Sequence, residues 1–223
     1  MFAPITKSTA VLALALFVGG SAGSTAAAQE LLDTPIRMEI GGTPGGGLFF
    51  TGGDDNAEAN FNVYTFSSHL DYYLTQRLAL EGEYMFGNGW GQDIVYRNGL
   101  LVGQQTPFSH TFTGGALFYP RGTTGSRLPF YFSGGVGMMA LSARPSTKKL
   151  GYDPEGNSSE TFTVSRIGAG LKIPRMGAPN WAFRMDYRLM FINANDGAPA
   201  FFASSKTRTG HQVQFGFQYA FRR

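Results

Sequence analysis

The sequence predicts an all-β chain, an eight-stranded antiparallel up-and-down barrel that crosses a membrane. Three observations carry this expectation: eight stretches of alternating apolar and polar residues, connections between them that are long and short in turn, and aromatic residues gathered at both ends of the stretches. The clearest stretch is 181–191. There Trp181, Phe183, Met185, Tyr187, Leu189 and Phe191 alternate without a break with Ala182, Arg184, Asp186, Arg188 and Met190. Such a period of two is a strand with one apolar and one polar face. In a soluble sheet the apolar face packs into a core, whereas in a membrane barrel it meets lipid and the polar face lines the lumen.

The N-terminus has the plan of a secretory signal peptide. One basic residue, Lys7, precedes an apolar run from Val11 to Val18, and a small-residue stretch ends Ala26-Ala27-Ala28-Gln29, an A-x-A site with cleavage expected before Gln29. The run is far shorter than the roughly 20 apolar residues of a spanning helix. The expected organisation is a signal peptide over 1–28, a short segment over 29–34 and a barrel domain over 35–223. The mature part has no 18-residue apolar run and therefore no membrane helix. It has no cysteine, which excludes disulfides, thiolate chemistry and a lipidated N-terminal cysteine. The net charge of +3 is spread along the chain, so no nucleic-acid patch stands out. The 31 glycines, 20 phenylalanines and 10 tyrosines favour sheet over helix.

Strand one spans about 36–50, with Arg37 and Glu39 opposite Ile36, Met38 and Ile40; Pro44, among five glycines, marks a bulge or bend. After a polar loop, strand two (about 61–74) places Tyr64, Phe66, Ser68, Leu70 and Tyr72 on one face and Thr65, Ser67, His69 and Asp71 on the other. A very short turn leads to strand three (about 77–88), where Leu78, Leu80, Gly82, Tyr84 and Phe86 oppose Ala79, Glu81, Glu83 and Met85. A long connection, 89–105, precedes strand four (about 106–119), with Phe108, Phe112, Ala116 and Phe118 in phase. Strand five (about 128–141) sets Phe130, Phe132, Gly134, Val136 and Met138 on one face. In strand six (about 160–173), Ile167, Ala169, Leu171 and Ile173 oppose Arg166, Gly168, Gly170 and Lys172. Strand seven is the stretch 181–191. Strand eight (about 207–222) alternates Val213, Phe215, Phe217, Tyr219 and Phe221 with Gln212, Gln214, Gly216, Gln218 and Ala220.

These strands exceed the usual 5 to 6 residues of soluble sheets and reach the 9 to 11 that cross a bilayer obliquely. The connections after strands one, three, five and seven are long and polar, and those after two, four and six are short. Alternate connections of an up-and-down barrel emerge on the same side, so short turns face the periplasm and long loops the exterior. Aromatic residues mark both rims: Tyr72, Phe118, Phe130, Trp181, Tyr219 and Phe221 at the inner end, and Phe50, Phe86, Trp90, Phe108 and Phe191 at the outer. An even strand number lets strand eight close on strand one and leaves no edge in lipid.

The chain therefore resembles the small eight-stranded outer-membrane β-barrels of Gram-negative bacteria, the group of the outer membrane protein A membrane domain and the opacity and attachment proteins. The signal peptide, the run from Pro129 to Gly137, Trp181 to Phe191 and Val213 to Phe221 carry the likeness. The resemblance implies outer-membrane localisation, contact with outer-membrane lipid and lipopolysaccharide, and delivery by the barrel-insertion machinery. Members commonly end on an aromatic residue, whereas here Arg222 and Arg223 follow Phe221.

The lumen of an eight-stranded barrel is about wide enough for side chains to fill, so inward charges must find partners. Glu81 and Glu83 of strand three should meet Arg184, Asp186 and Arg188 of strand seven across the barrel, with His69 and Asp71 at a similar height. This lumen network is read as a plug, with a narrow porin-like ion path as the alternative. Trp181, Phe183, Met185, Tyr187, Leu189, Phe215, Phe217, Tyr219 and Phe221 are the expected lipid-facing set. Ser67, His69 and Asp71 are triad-type residues, but period-two spacing sets them about 6.6 to 7 Å apart, beyond hydrogen-bond reach. A lipid-A-modifying hydrolase is thus the remote alternative, and no catalytic, cofactor or metal site is expected. Gly45-Gly46-Gly47 lacks the ending of a phosphate loop. Asp54-Asp55-Asn56 lacks the later glutamate of a calcium loop. The function expected is structural or surface-interactive, with a surface ligand reached through the external loops.

Overall fold

A computed structural model describes residues 35–51, 61–96, 99–123, 128–142, 159–175, 178–193 and 207–222. Ten strands form in it: β1 (Ile36–Thr51), β2 (Asn62–Tyr73), β3 (Leu78–Gly89), β4 (Gly91–Tyr96), β5 (Gly99–Gln105), β6 (Phe108–Phe118), β7 (Phe130–Ser142), β8 (Ser159–Arg175), β9 (Ala178–Asn193) and β10 (Thr207–Arg222). Eight of them close into an antiparallel barrel in the order β1-β10-β9-β8-β7-β6-β3-β2. Closure is made by β1 on β10, from Ile36 opposite Arg222 to Thr51 opposite Thr209. The expected signal peptide and the segment 29–34 lie outside the described residues, as do 52–60, 143–158 and 194–206 of the outer connections.

The two strands outside the barrel correct the sequence reading. The connection between the third and fourth barrel strands is not open loop, because β4 and β5 pair as an antiparallel hairpin from Gly91 opposite Gln105 to Tyr96 opposite Gly99. Gln92 fastens its base: the side-chain amide accepts from Asn62 N at 3.0 Å and donates to Asn62 O at 2.8 Å. A glutamine amide thereby stands in for a backbone partner at the rim of β2.

Pro44 interrupts β1 as expected. The register slips between Gly42 and Gly45 against β10, and between Thr43 and Gly47 against β2. The extra residues change the phase of the strand. Leu48 and Phe50 consequently point inward and are buried, while Phe49 is outward. Phe50 therefore belongs to the interior rather than to the outer aromatic rim, which corrects its expected place.

The short turns are knitted to one another. Leu74 N and Thr75 N donate to Leu78 O at 2.9 and 3.1 Å, and Thr75 Oγ1 accepts from Arg77 N and Leu78 N. The neighbouring connection docks on this turn through Tyr119 N to Arg77 O at 2.8 Å and Thr123 N to Gln76 O at 3.0 Å. Gly122 adopts φ of 74°, where a side chain would be strained.

Alternation divides every barrel strand between an apolar exterior and a filled interior. The interior has three layers. Toward the outer rim lies an apolar cluster that includes Leu48, Phe50, Phe61, Met85, Phe162 and Ile192. Toward the short turns lie Tyr73, Ala79, Leu117, Tyr119 and Tyr131, with Ile36 packed against them. Between the two sits the buried charge.

Candidate functional site: a buried charge layer between two apolar lids

The middle layer is assembled by residues an even number of positions apart on single strands, which point to one side because strand side chains alternate. β2 contributes His69 and Asp71, β3 Glu81 and Glu83, β8 Arg166 and Lys172, and β9 Arg184, Asp186 and Arg188; β1 adds Glu39. Strands β3 and β9 stand diametrically opposite, with three strands between them in either direction round the barrel. Their long side chains therefore meet at the axis.

Arg184 is the hub. It donates from Nε to Asp186 Oδ2 at 2.7 Å, from Nη1 to Asp71 Oδ2 at 3.2 Å and from Nη2 to Glu81 Oε2 at 2.5 Å, and it is inaccessible to solvent. Arg166 binds Glu81 at 2.7 Å and also pairs with Glu83. Arg188 binds Glu81 at 3.1 Å and Asp186 at 3.4 Å and pairs with Glu83. Each arginine thus spans two or more carboxylates, which the planar guanidinium fork allows and a lysine could not imitate. Gln214 Nε2 donates to Glu83 Oε1 at 3.1 Å, and Tyr131 Oη to Asp186 Oδ1 at 2.6 Å.

Below the arginines, Lys172 pairs with Glu39 and reaches Asp71 at 3.3 Å and Tyr73 Oη at 2.9 Å. Its ammonium lies 5.6, 5.3 and 5.5 Å from the ring centres of Tyr73, Tyr119 and Tyr131, inside the range of cation–π attraction. Glu39 also accepts from Tyr73 Oη at 2.6 Å and from Gln218 Nε2 at 3.2 Å. The lower lid is therefore amphipathic: its rings shield the layer and its hydroxyls bond it.

Glycines make this crowding possible. A Cβ built on Gly170 would collide with Tyr131 Oη and lie 2.8 Å from Asp186 Oδ1, and one on Gly168 would lie 2.7 Å from Arg188 Cγ. The inward glycines that separate Arg166 from Lys172 are thus the space into which the facing side chains fold.

The structure brings Asp71, Glu81, Glu83, Arg184, Asp186 and Arg188 into one ion-paired cluster. His69 is the exception. It is inward and buried, but its Nε2 has no hydrogen-bond partner among the described residues. A Cβ on Gly41 would collide with that nitrogen, so the ring fills the gap over the β1 backbone and not the space between the acids. Glu39, Arg166 and Lys172 are the members that sequence reasoning missed. All three sit in the inward phase of their strands, and that phase was the available signal.

On the exterior, Trp181, Tyr187, Phe215, Phe217 and Phe221 are exposed, and Phe183, Met185, Leu189 and Tyr219 are partly exposed in the same outward phase. Trp181 packs on Tyr219 and Phe183 on Phe217 across the β9–β10 pair. The triad-type set does not assemble: Ser67 Oγ bonds to Thr43 Oγ1 and accepts from Gln214 Nε2 at 3.1 Å. No group of three or more His, Cys, Asp or Glu that could hold a metal occurs among the described residues.

No family model matches the chain, and no curated protein matches it in sequence. Solved structures do match in shape. Neisserial surface protein A superposes with a TM-score of 0.51 at 11% identity, over 82% of this chain and 97% of that one. A major outer membrane protein of Thermus thermophilus gives 0.46 at 11% identity, over 82% and 99%. Ail, the attachment invasion locus protein of Yersinia pestis, gives 0.44 at 16% identity, over 85% and 99%. Sequence identities this low bear on architecture alone. The chain has the fold of the small eight-stranded outer-membrane β-barrels.

Proposed function

We propose that this protein is an outer-membrane barrel, exported through a cleaved signal peptide, whose body is a closed structural plug and whose work is done at the surface by its outer connections. The observation that carries the proposal is the combination of an apolar exterior with a solid interior. Exposed Tyr64, Phe66, Phe112, Phe132, Val136 and Ile167 ring the outside of a closed barrel, a surface that water would not tolerate at this extent and lipid would. Inside, four cations each pair with two or more of five carboxylates between an apolar lid and a tyrosine-rich one, and both lids are buried.

A plug of this kind supports barrel integrity and does not support conduction. An ion entering from the outer rim would have to part Leu48, Phe50 and Phe162 and then displace a guanidinium from two carboxylates. The external hairpin β4–β5, fastened to β2 by Gln92, extends the rigid frame beyond the rim and suits the display of outer loops for contact with other surfaces. Partners on this reading are lipid and lipopolysaccharide around the barrel, the insertion machinery during assembly, and a surface ligand at the loops.

Cell fractionation with heat-modifiable gel mobility tests the membrane assignment; recovery as a soluble periplasmic protein would end it. Planar-bilayer recording of the refolded barrel tests the plug. The expected trace is flat, and steady conductance abolished by neutralising Arg184 would establish the narrow channel instead.

A further inference from the structure

The outer wall of β3, β6 and β7 is not smooth. A groove of about 650 Å³ runs along it, floored by Gly82 and Gly114 and walled by Phe112 and Met138, with His110 and Thr161 toward its upper end. Gly82 and Gly114 face each other across the β3–β6 pair, and a Cβ built on either would meet nothing within 4 Å. Phe112 and Met138 are 61% and 58% exposed, so the groove opens onto the apolar exterior.

Two polar features adjoin it on the half nearer the outer rim. Tyr84 Oη and His110 Nδ1 are hydrogen-bonded at 2.9 Å, and the imidazole packs on Phe86 with ring centres 5.1 Å apart. On the opposite flank, the next strand turns three successive hydroxyls outward: Thr161, Thr163 and Ser165 are exposed, at the register positions of Ala140, Met138 and Val136. Across the next pair, Ser165 stands opposite Phe191 and Thr163 opposite Asn193, so the polar band continues at the rim of β9 while Ile167, one step deeper on β8, faces Leu189. Exposed hydroxyls are best placed where they can form hydrogen bonds, so three in a row beside an apolar trough suit an occupant with an apolar chain and polar groups at the rim.

We infer that the groove binds one acyl chain of lipid A, the chain lying over Gly82 and Gly114 and the amide- and ester-linked glycosamine end resting on His110 and the β8 hydroxyls. The polarity runs the right way for the outer leaflet, apolar toward mid-barrel and hydrogen-bonding toward the rim. A phospholipid has far fewer hydrogen-bonding groups at this level to satisfy the β8 hydroxyls, which is why lipid A is the occupant named. The inference rests on the membrane assignment of the preceding subsection and deepens it.

The test uses the full barrel refolded in dodecyl maltoside, mixed with hexa-acyl lipid A or with dioleoyl phosphatidylethanolamine, and read by native mass spectrometry. A single lipid A should be retained, with phosphatidylethanolamine held at least about tenfold more weakly, equivalent to about 1.4 kcal/mol. Gly114→Phe, which lays a ring in the trough, should lower lipid A retention about tenfold, and Thr163→Val should lower it severalfold. Equal retention by Gly114→Phe and the parent overturns the inference, as does equal binding of the two lipids.

A variant-free measurement covers the case in which Gly114→Phe does not refold. Lipid A bearing a diazirine in one acyl chain should label peptides containing Phe112 and Met138 in preference to those of β9 and β10. Uniform labelling around the barrel overturns the inference. Failure of the membrane assignment would look different, as loss of vesicle insertion and of heat-modifiable mobility in the parent protein itself.

Discussion

Arg184→Met removes the hub of the charge layer while keeping most of its volume. Three carboxylates lose a partner, but none is stripped: Asp71 keeps Lys172 at 3.3 Å, Glu81 keeps Arg166 at 2.7 Å and Arg188 at 3.1 Å, and Asp186 keeps Arg188 at 3.4 Å and Tyr131 at 2.6 Å. Breaking a buried ion pair by truncating one partner costs about 3 to 5 kcal/mol. The surviving partners place this variant near the lower end, at about 3 kcal/mol. The layer already holds one more carboxylate than it has lysines and arginines, so the loss is electrostatic as well as local. Glu81→Gln in the same chain removes one of the charges left in excess and should recover about 1 to 2 kcal/mol, because neighbours in one network are not additive. The assay is urea unfolding in phospholipid vesicles, followed by the fluorescence of the two tryptophans and by gel mobility. A single variant within about 0.5 kcal/mol of the parent, the range of ordinary surface changes, would refute the reasoning. So would a double variant less stable than the single one.

Other expectations concern the two faces of the wall. Met185 is outward on β9, so Met185→Arg should weaken assembly by about 2 to 4 kcal/mol if it sits near the bilayer midplane; normal folding yield into vesicles would show the faces to be reversed. Gly170→Ala drives a methyl into Tyr131 Oη and Asp186 Oδ1 and should cost about 1 to 3 kcal/mol by overpacking. Gly134→Ala points outward, with nothing nearer than 4.0 Å, and should change urea stability by no more than about 0.5 kcal/mol. Equal effects of the two glycine variants would contradict the inward and outward phases of β7 and β8.

The amino-acid sequence by itself determined the eight barrel strands, their phase outside the β1 bulge and the architecture, because each depends on local alternation. Trp181 to Phe191 shows the reason: with a period of two, naming one outward residue assigns the whole strand, and an even number of strands lets the last close on the first and satisfy both edges. Connection lengths then separated the two rims. The approximate meeting of Glu81 and Glu83 with Arg184 and Arg188 was legible because height along a strand follows from residue count.

What the tertiary structure decided is everything that depends on who stands opposite whom. Lys172 is one inward residue among several in β8, and only the arrangement of eight strands sets Glu39 and three tyrosines around it. His69 reads like its neighbour Asp71 in sequence, yet the absent side chain of Gly41 takes the ring out of the network. The bulge at Pro44 could be foreseen, but its size could not, and that size turned Phe50 inward. The β4–β5 hairpin escaped because Gly91 to Gln105 lacks sustained alternation, and its anchor is a glutamine amide borrowed by another strand. Local periodicity assigns a side chain to a face; the choice of its partner belongs to the closed wall, which brings together residues more than a hundred positions apart.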